Sequence, residues 1–366
     1  LVNLLHLRAW AAALLFAAAA HAADYLVYAG TYTAGSSRGI YGYRFDSRNA
    51  KFKPLGLMAT LSNPTFLVVH PDNRFLYAVS QQPGGSVSSF LINPKTGRLS
   101  PVNQASSKGD SPCHLALDRS GRWIAVANYA SGSLAVLPLR RDGGVGEALA
   151  FEEHHGVSRV HCVLFSPDNR FLLAADLGLN RIYVYRFDAE SGALTPAAKP
   201  YIDGPPGAGV RHLAFHPIGS ILFAIHETKP AVTSYFLNVE KGELSELATI
   251  PIVPDSYTGA DLGGEIAVNS AGTVVYASNR GHDSMALVVP DPVRFMLSLL
   301  EITPLTGRTP RHFALDPTGA YMLVGNQDSG NISAYTVHPH TGQLRPVGRP
   351  TPKIDKPACV VIVPTQ

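Results

Sequence analysis

The sequence predicts an all-β fold: a seven-bladed β-propeller of four-stranded blades, its ring closed by N- and C-terminal strands in one blade. Three observations predict it. Six segments align with one another without a gap, their centres recur at a near-constant spacing, and a seventh unit is divided between the two ends of the chain. Self-similarity at this period marks a repeat architecture, and four short strands per unit mark a propeller blade.

The six segments are PTFLVVHPDNRFLYAVS (64–80), PCHLALDRSGRWIAVAN (112–128), VHCVLFSPDNRFLLAAD (160–176), VRHLAFHPIGSILFAIH (210–226), GGEIAVNSAGTVVYASN (263–279) and PRHFALDPTGAYMLVGN (310–326). Their centres, Pro71, Arg119, Pro167, Pro217, Ser270 and Pro317, lie 48, 48, 50, 53 and 47 residues apart. Each unit reads as strand, tight turn, strand, loop, strand, turn, strand. The first turn carries DN, SG, IG, AG or TG; the second hairpin carries KTG (95–97), ESG (190–192), EKG (240–242) or HTG (340–342). These residues accept the positive φ that tight turns need. Third strands such as SVSSFLI and RIYVYRF alternate with the period of two expected of a sheet. The stretch VVPDPVRFMLSLLEI (288–302) breaks the pattern and blurs the outer strands of its unit.

The seventh unit comes from both ends. YLVYAGT (25–31) matches a second strand, GIYGYRF (39–45) a third and KFKPLGLM (51–58) a fourth, while PACVVIV (357–363) supplies the first. Joining the termini in one blade removes a free sheet edge.

Composition agrees with a large core. Of the 366 residues, 46% are apolar and 16% charged, which excludes disorder, and a net charge of +3 is too small and dispersed for a nucleic-acid partner. Residues 1–23 differ: Arg8 precedes WAAALLFAAAAHAA, which ends in the small-residue pattern Ala20–His21–Ala22. That order describes a secretory signal peptide, and its apolar core is short for a membrane span. The expectation is cleavage near Ala22 or Ala23, one propeller domain over 24–366, a periplasmic or secreted location and no membrane contact afterwards. Cys113, Cys162 and Cys359 are odd in number, so a disulfide framework is not expected and they read as small buried hydrophobes.

The repeat register places functional candidates. The start of each first strand and the end of each second strand share one rim of the central channel. The first set is Thr65, Cys113, His161, Arg211, Gly264, Arg311 and Ala358; one residue beyond the second strands lie Tyr32, Gln81, Tyr129, Leu177, Glu227, Arg280 and Gln327. Three arginines, histidines and a glutamate thus converge on what reads as a solvated mouth. Polar channel residues commonly bind only water, and Asn or Asp at a strand end commonly caps a turn. Converging charge instead marks a ligand site, and Arg suits a carboxylate or phosphate. Arg311, His212, Asn128 and Gln327 are the candidate substrate contacts. His154, like His6, His21, His70, His155, His338 and His340, reads as a signal, turn or surface residue. No HExxH or phosphate-cradling Gly-Lys loop occurs, and the G-x-S-x-G string GSSRG (35–39) runs into a strand rather than a helix and so forms no nucleophile elbow; no metal, no serine nucleophile and no cofactor is expected.

At AGTYT (29–33), VANYASGS (126–133), HCVLFSPDNR (161–170), GAGVRHLAFHP (207–217), SNRGHDS (278–284) and PRHFALDPTG (310–319) the chain resembles the seven-bladed lactonase propellers. These include propeller-type 6-phosphogluconolactonase and fungal carboxy-cis,cis-muconate lactonizing enzyme. The resemblance spans the mature chain and implies a catalytic set of His161, Arg211, Glu227 and Arg280, with Val210 standing where the family has Pro. It implies hydrolysis of a sugar-acid lactone by a monomer acting on a small anionic lactone or sugar acid, with Glu227 or His161 as base. The alternatives are closure or isomerisation of a muconate-type acid, and a non-catalytic exported binding propeller.

Overall fold

The computed structural model describes residues 24–349 and 352–365; the expected signal peptide lies outside them. The described residues form seven four-stranded antiparallel sheets and no helix. In the closing blade, Pro357–Pro364 pairs with Asp24–Thr31, Tyr25 opposite Pro364 and Gly30 opposite Cys359. Gly39–Asp46 and Lys51–Thr60 follow outward. The other six blades run outward in chain order, as in Val210–Phe215, Ile221–His226, Ala231–Asn238 and Glu243–Pro251. First strands of neighbouring blades touch all the way round the ring, so they line the channel.

Turn chemistry behaves as the sequence requires. Asn73, Gly121, Asn169, Gly219, Gly272 and Gly319 take positive φ in the first turns. The glycines of the second hairpins do so too, and two of them have a further constraint. A Cβ on Gly192 would stand 2.3 Å from the Trp123 ring, and one on Gly242 would stand 2.4 Å from Phe171. Each of these hairpins therefore rests on an aromatic ring of the preceding blade. The irregular 288–302 stretch keeps both strands: Ser284–Pro290 pairs with Leu297–Pro304 across a register shift at Leu287/Val288. Its loop, 291–296, is as long as 93–98 and 188–193, but Phe295 takes the positive φ that a glycine takes there, and the Asp291 carboxylate accepts the N–H groups of Val293 and Arg294.

The core lies between blades. Val27, Ala29 and Val360 pack with Leu323 and Ile332 of the last blade, while Leu26, Tyr28 and Cys359 pack with Leu67 and Leu76 of the first. The two-stranded closure thus joins both neighbours through apolar burial, the dominant favourable term in folding.

One irregularity recurs. Pairing of first and second strands slips by one residue between Pro112 and His114, Val160 and Cys162, Val210 and His212, and Pro310 and His312. The same slip falls between Gly263 and Ile266, and at Ala358 in the closing blade. Such bulges re-aim side chains and gather beside active sites. Here they leave Cys113, His161, Arg211, Arg311 and Ala358 out of the ladder.

Candidate active site

The bulges turn two consecutive side chains of a first strand toward the channel, where an unbroken strand would alternate them. Arg211 and His212 both line one small pocket, together with Thr65, Phe66, Cys113, His161, Glu265, Arg311, His312 and Ala358. The mouth is less solvated than the sequence suggests: Arg211 is only 2% exposed. Its reach into the narrowing channel, between Glu227 and the Gly264 carbonyl, buries it.

One carboxylate oxygen organises two arginines. Glu227 Oε2 accepts from Arg211 Nε and from Arg280 Nη2, both at 2.8 Å. Arg211 Nη1 also donates to the Gly264 carbonyl at 2.7 Å, and Arg280 Nη2 to the Gly263 carbonyl at 2.6 Å. Burial alone would raise the Glu227 pKa, but the Arg211 and Arg280 charges outweigh it and hold the carboxyl below its ordinary value. Burial and the neighbouring Arg211 and Arg311 cations lower Arg280 to about 9, still protonated at neutral pH. Arg311 has no carboxylate partner among the described residues, and its guanidinium lies 5.3 Å from the centre of the Tyr32 ring. Three guanidinium groups face two carboxylates, Glu227 and Glu265, so one positive charge is unbalanced.

The second layer is histidine-rich. His212 Nδ1 lies 2.9 Å from Glu265 Oε1, and His212 Nε2 lies 3.2 Å from His161 Nδ1. His312 Nε2 is 3.4 Å from Glu265 Oε2. Desolvation holds His161 and His212 well below the ordinary imidazole pKa, helped by Arg211, and lowers His114 to about 3. The rings are neutral at pH 7. Phe66 packs 4.1 Å from His114 and 5.5 Å from His312, ring centre to ring centre. Phe66 and His312 also border an apolar cavity lined by Leu117, Leu164, Leu315 and Ile362, so they divide the channel. Among the described residues no three His, Cys, Asp or Glu side chains converge to hold a metal ion.

His161, Arg211, Glu227, Arg280, Arg311 and His212 therefore come together from blades far apart in sequence. Asn128 and Gln327 do not join them. Asn128 is fully buried and donates through Nδ2 to the Ser107 carbonyl and Ser133 Oγ. Gln327 borders a separate polar groove with Ser36, Asp328 and Lys356. His154, expected at the surface, is buried between Asp176 and Tyr185, at 2.8 and 2.7 Å, because its loop folds back onto the end of the neighbouring strand. Sequence reasoning missed Glu265, His114 and His312. The same alignment held them one position further along, as Phe66, His114, Cys162, His212, Glu265, His312 and Cys359.

Known proteins share this framework. A structure of a periplasmic gluconolactonase from Pseudomonas aeruginosa superposes with a TM-score of 0.88 at 31% identity, covering 94% of this chain and 100% of that one. A 6-phosphogluconolactonase of Bacillus subtilis is 31% identical over 345 residues, 92% of this chain and 97% of its own. Another, from Pectobacterium carotovorum, is 30% identical over 77% of this chain and 83% of its own. The family model for "Lactonase, 7-bladed beta-propeller" matches residues 26–362. With that match across nearly the whole described chain, the chain belongs to the lactonase family of seven-bladed β-propellers.

Proposed function

We propose that the chain hydrolyses the lactone ring of an anionic sugar acid, using His161 as general base. The observation that supports this most is Arg311, a guanidinium without a carboxylate partner, lining the same pocket as an imidazole whose Nε2 meets no protein partner among the described residues. An unbalanced cation calls for an anionic ligand. An unprotonated imidazole nitrogen calls for a proton donor, and water is the donor that lactone opening needs.

Water passes a proton to His161 Nε2 while its oxygen bonds to the lactone carbonyl carbon. The carbonyl oxygen becomes negative, and the N–H groups of Arg211 and Arg280 not used on Glu227 or the backbone stabilise it. The ring C–O bond then breaks, and the ring oxygen takes the proton back from the imidazolium to become a hydroxyl. Arg311 holds the anionic substituent. Glu227 is a poor base because two arginines already occupy Oε2; its part is to hold both guanidinium planes in place.

Export is part of the proposal. The leader-like residues 1–23 and the periplasmic location of the Pseudomonas relative support it, and N-terminal sequencing of protein recovered from the periplasm or medium should start near Ala23 or Asp24. For the chemistry, pH-stat assays should compare 6-phosphogluconolactone with neutral gluconolactone. Arg311→Ala is expected to raise KM for the phosphorylated lactone by roughly tenfold or more while affecting the neutral one less. Equal losses on both would remove Arg311 from anion binding. A wild-type protein that hydrolyses neither would favour the binding propeller.

A further inference from the structure

We infer that Glu265 and His212 form a hydrogen-bonded chain that fixes which nitrogen of His161 carries its proton, so that Nε2 is left bare toward the substrate. The inference rests on the lactonase reading for its catalytic consequence, but its structural content stands apart from it. Glu265 Oε1, which accepts the Ile266 N–H, acts as an acceptor, so its 2.9 Å contact requires a proton on His212 Nδ1. A neutral His212 then offers a lone pair at Nε2. The 3.2 Å contact from that atom to His161 Nδ1 therefore requires the His161 proton on Nδ1. The remaining nitrogen of a neutral His161 is Nε2, which holds the lone pair.

The surroundings lock this arrangement. Glu265 Oε1 also accepts the Ile266 N–H at 3.0 Å, which anchors the carboxylate. His312 Nδ1 accepts the Val360 N–H, so its own proton sits on Nε2, which points at Glu265 Oε2. The His114 ring stands edge-on to His212 at 5.0 Å, and Phe66 packs against both. The groups facing His212 are thus Glu265, His161, His114, His312, Arg211 and Arg311. Glu265 is the carboxylate among them. When His161 takes a proton from water, the charge spreads along Nδ1–H to His212 and is balanced by Glu265, as a buried carboxylate orients and steadies a catalytic histidine in hydrolytic triads. Glu265 and His212 are positioning residues; neither touches the reacting atoms.

Histidine-selective 15N NMR on the wild-type protein reads the proton positions directly. At neutral pH both His161 and His212 are expected to be protonated on Nδ1 and bare on Nε2. A His161 proton on Nε2, or an imidazolium there, overturns the inference whatever the enzyme does. Glu265→Gln supplies the catalytic arm: kcat is expected to fall roughly a hundredfold with KM changed less than about threefold. His212→Gln should show the same split. If the Nδ1 protons are found but Glu265→Gln keeps kcat within about threefold, the chain has no positioning role. If the wild type opens no lactone, the proposed activity fails, while the NMR result still decides the chain.

Discussion

Arg211 opens its strand because a bulge at Val210/His212 releases it from the ladder and sends it into the channel, where Glu227 and a backbone carbonyl receive it. Its neighbours are histidines that the same burial keeps neutral, and that has two pH consequences. For catalysis, desolvation and Arg211 hold His161 well below the ordinary imidazole value of 6.5, so the proposed base stays unprotonated below that value. The acid limb of kcat/KM is expected well below pH 6.5; a limb at 6.5 or higher would contradict a buried His161 base. For stability, the unfolded chain takes up protons below about pH 6.5 while the buried rings do not. Stability is therefore full above that value and falls as pH drops toward the His114 value of about 3. Each such histidine adds a slope of up to about 1.4 kcal/mol per pH unit. Urea midpoints at pH 7 and pH 5 check this: the midpoint should be lower at pH 5, and an unchanged one would show that the rings titrate normally.

At the level of strands and turns, the blade hairpins were legible because DN, SG and TG declare their backbone chemistry in the residues themselves. The glycines of ESG and EKG carry more than turn geometry, since each lies against a ring of the blade before it. Gly242→Ala adds a methyl at φ +74 beside Phe171 and is expected to cost about 1–3 kcal/mol, read as a lower urea midpoint with activity retained. An unaltered midpoint would mean that the hairpin shifts freely. The bulges were not legible. They recur in six blades at one register, so the gapless alignment survives them and still returns His161, Arg211 and Arg311 as equivalent positions. Strict alternation then assigns the following residue to the blade interior, which is why Glu265 and His312 went unnoticed although the alignment contained them. Asn128 and Gln327 lie apart from that cluster, since strand-end position alone does not say whether a side chain points to the channel or to the next loop.

For the whole molecule, seven blades were countable because the period is nearly constant and both ends complete one unit. The closing strand is a keystone: Cys359, Val360 and Val363 are buried against two different neighbours. Deleting 357–366 strips the ladder from Asp24–Thr31 and exposes both seams, so the shortened chain is expected to lose cooperative unfolding or to aggregate. A truncated protein with the full-length urea midpoint would show that the ring does not depend on closure. Closure also matters for chemistry, because the site draws on blades from opposite parts of the chain and exists only when the ring is shut.

The central claim is that this channel mouth opens a lactone with His161 as base. The most direct measurement is pH-stat hydrolysis of gluconolactone and 6-phosphogluconolactone by wild type and His161→Gln, each corrected for spontaneous opening. The account predicts acceleration by the wild type on at least one of them and a loss in kcat of roughly a hundredfold or more in the variant, with its urea midpoint close to that of the wild type. Spontaneous rates with the wild type, or an equally active His161→Gln, would contradict it.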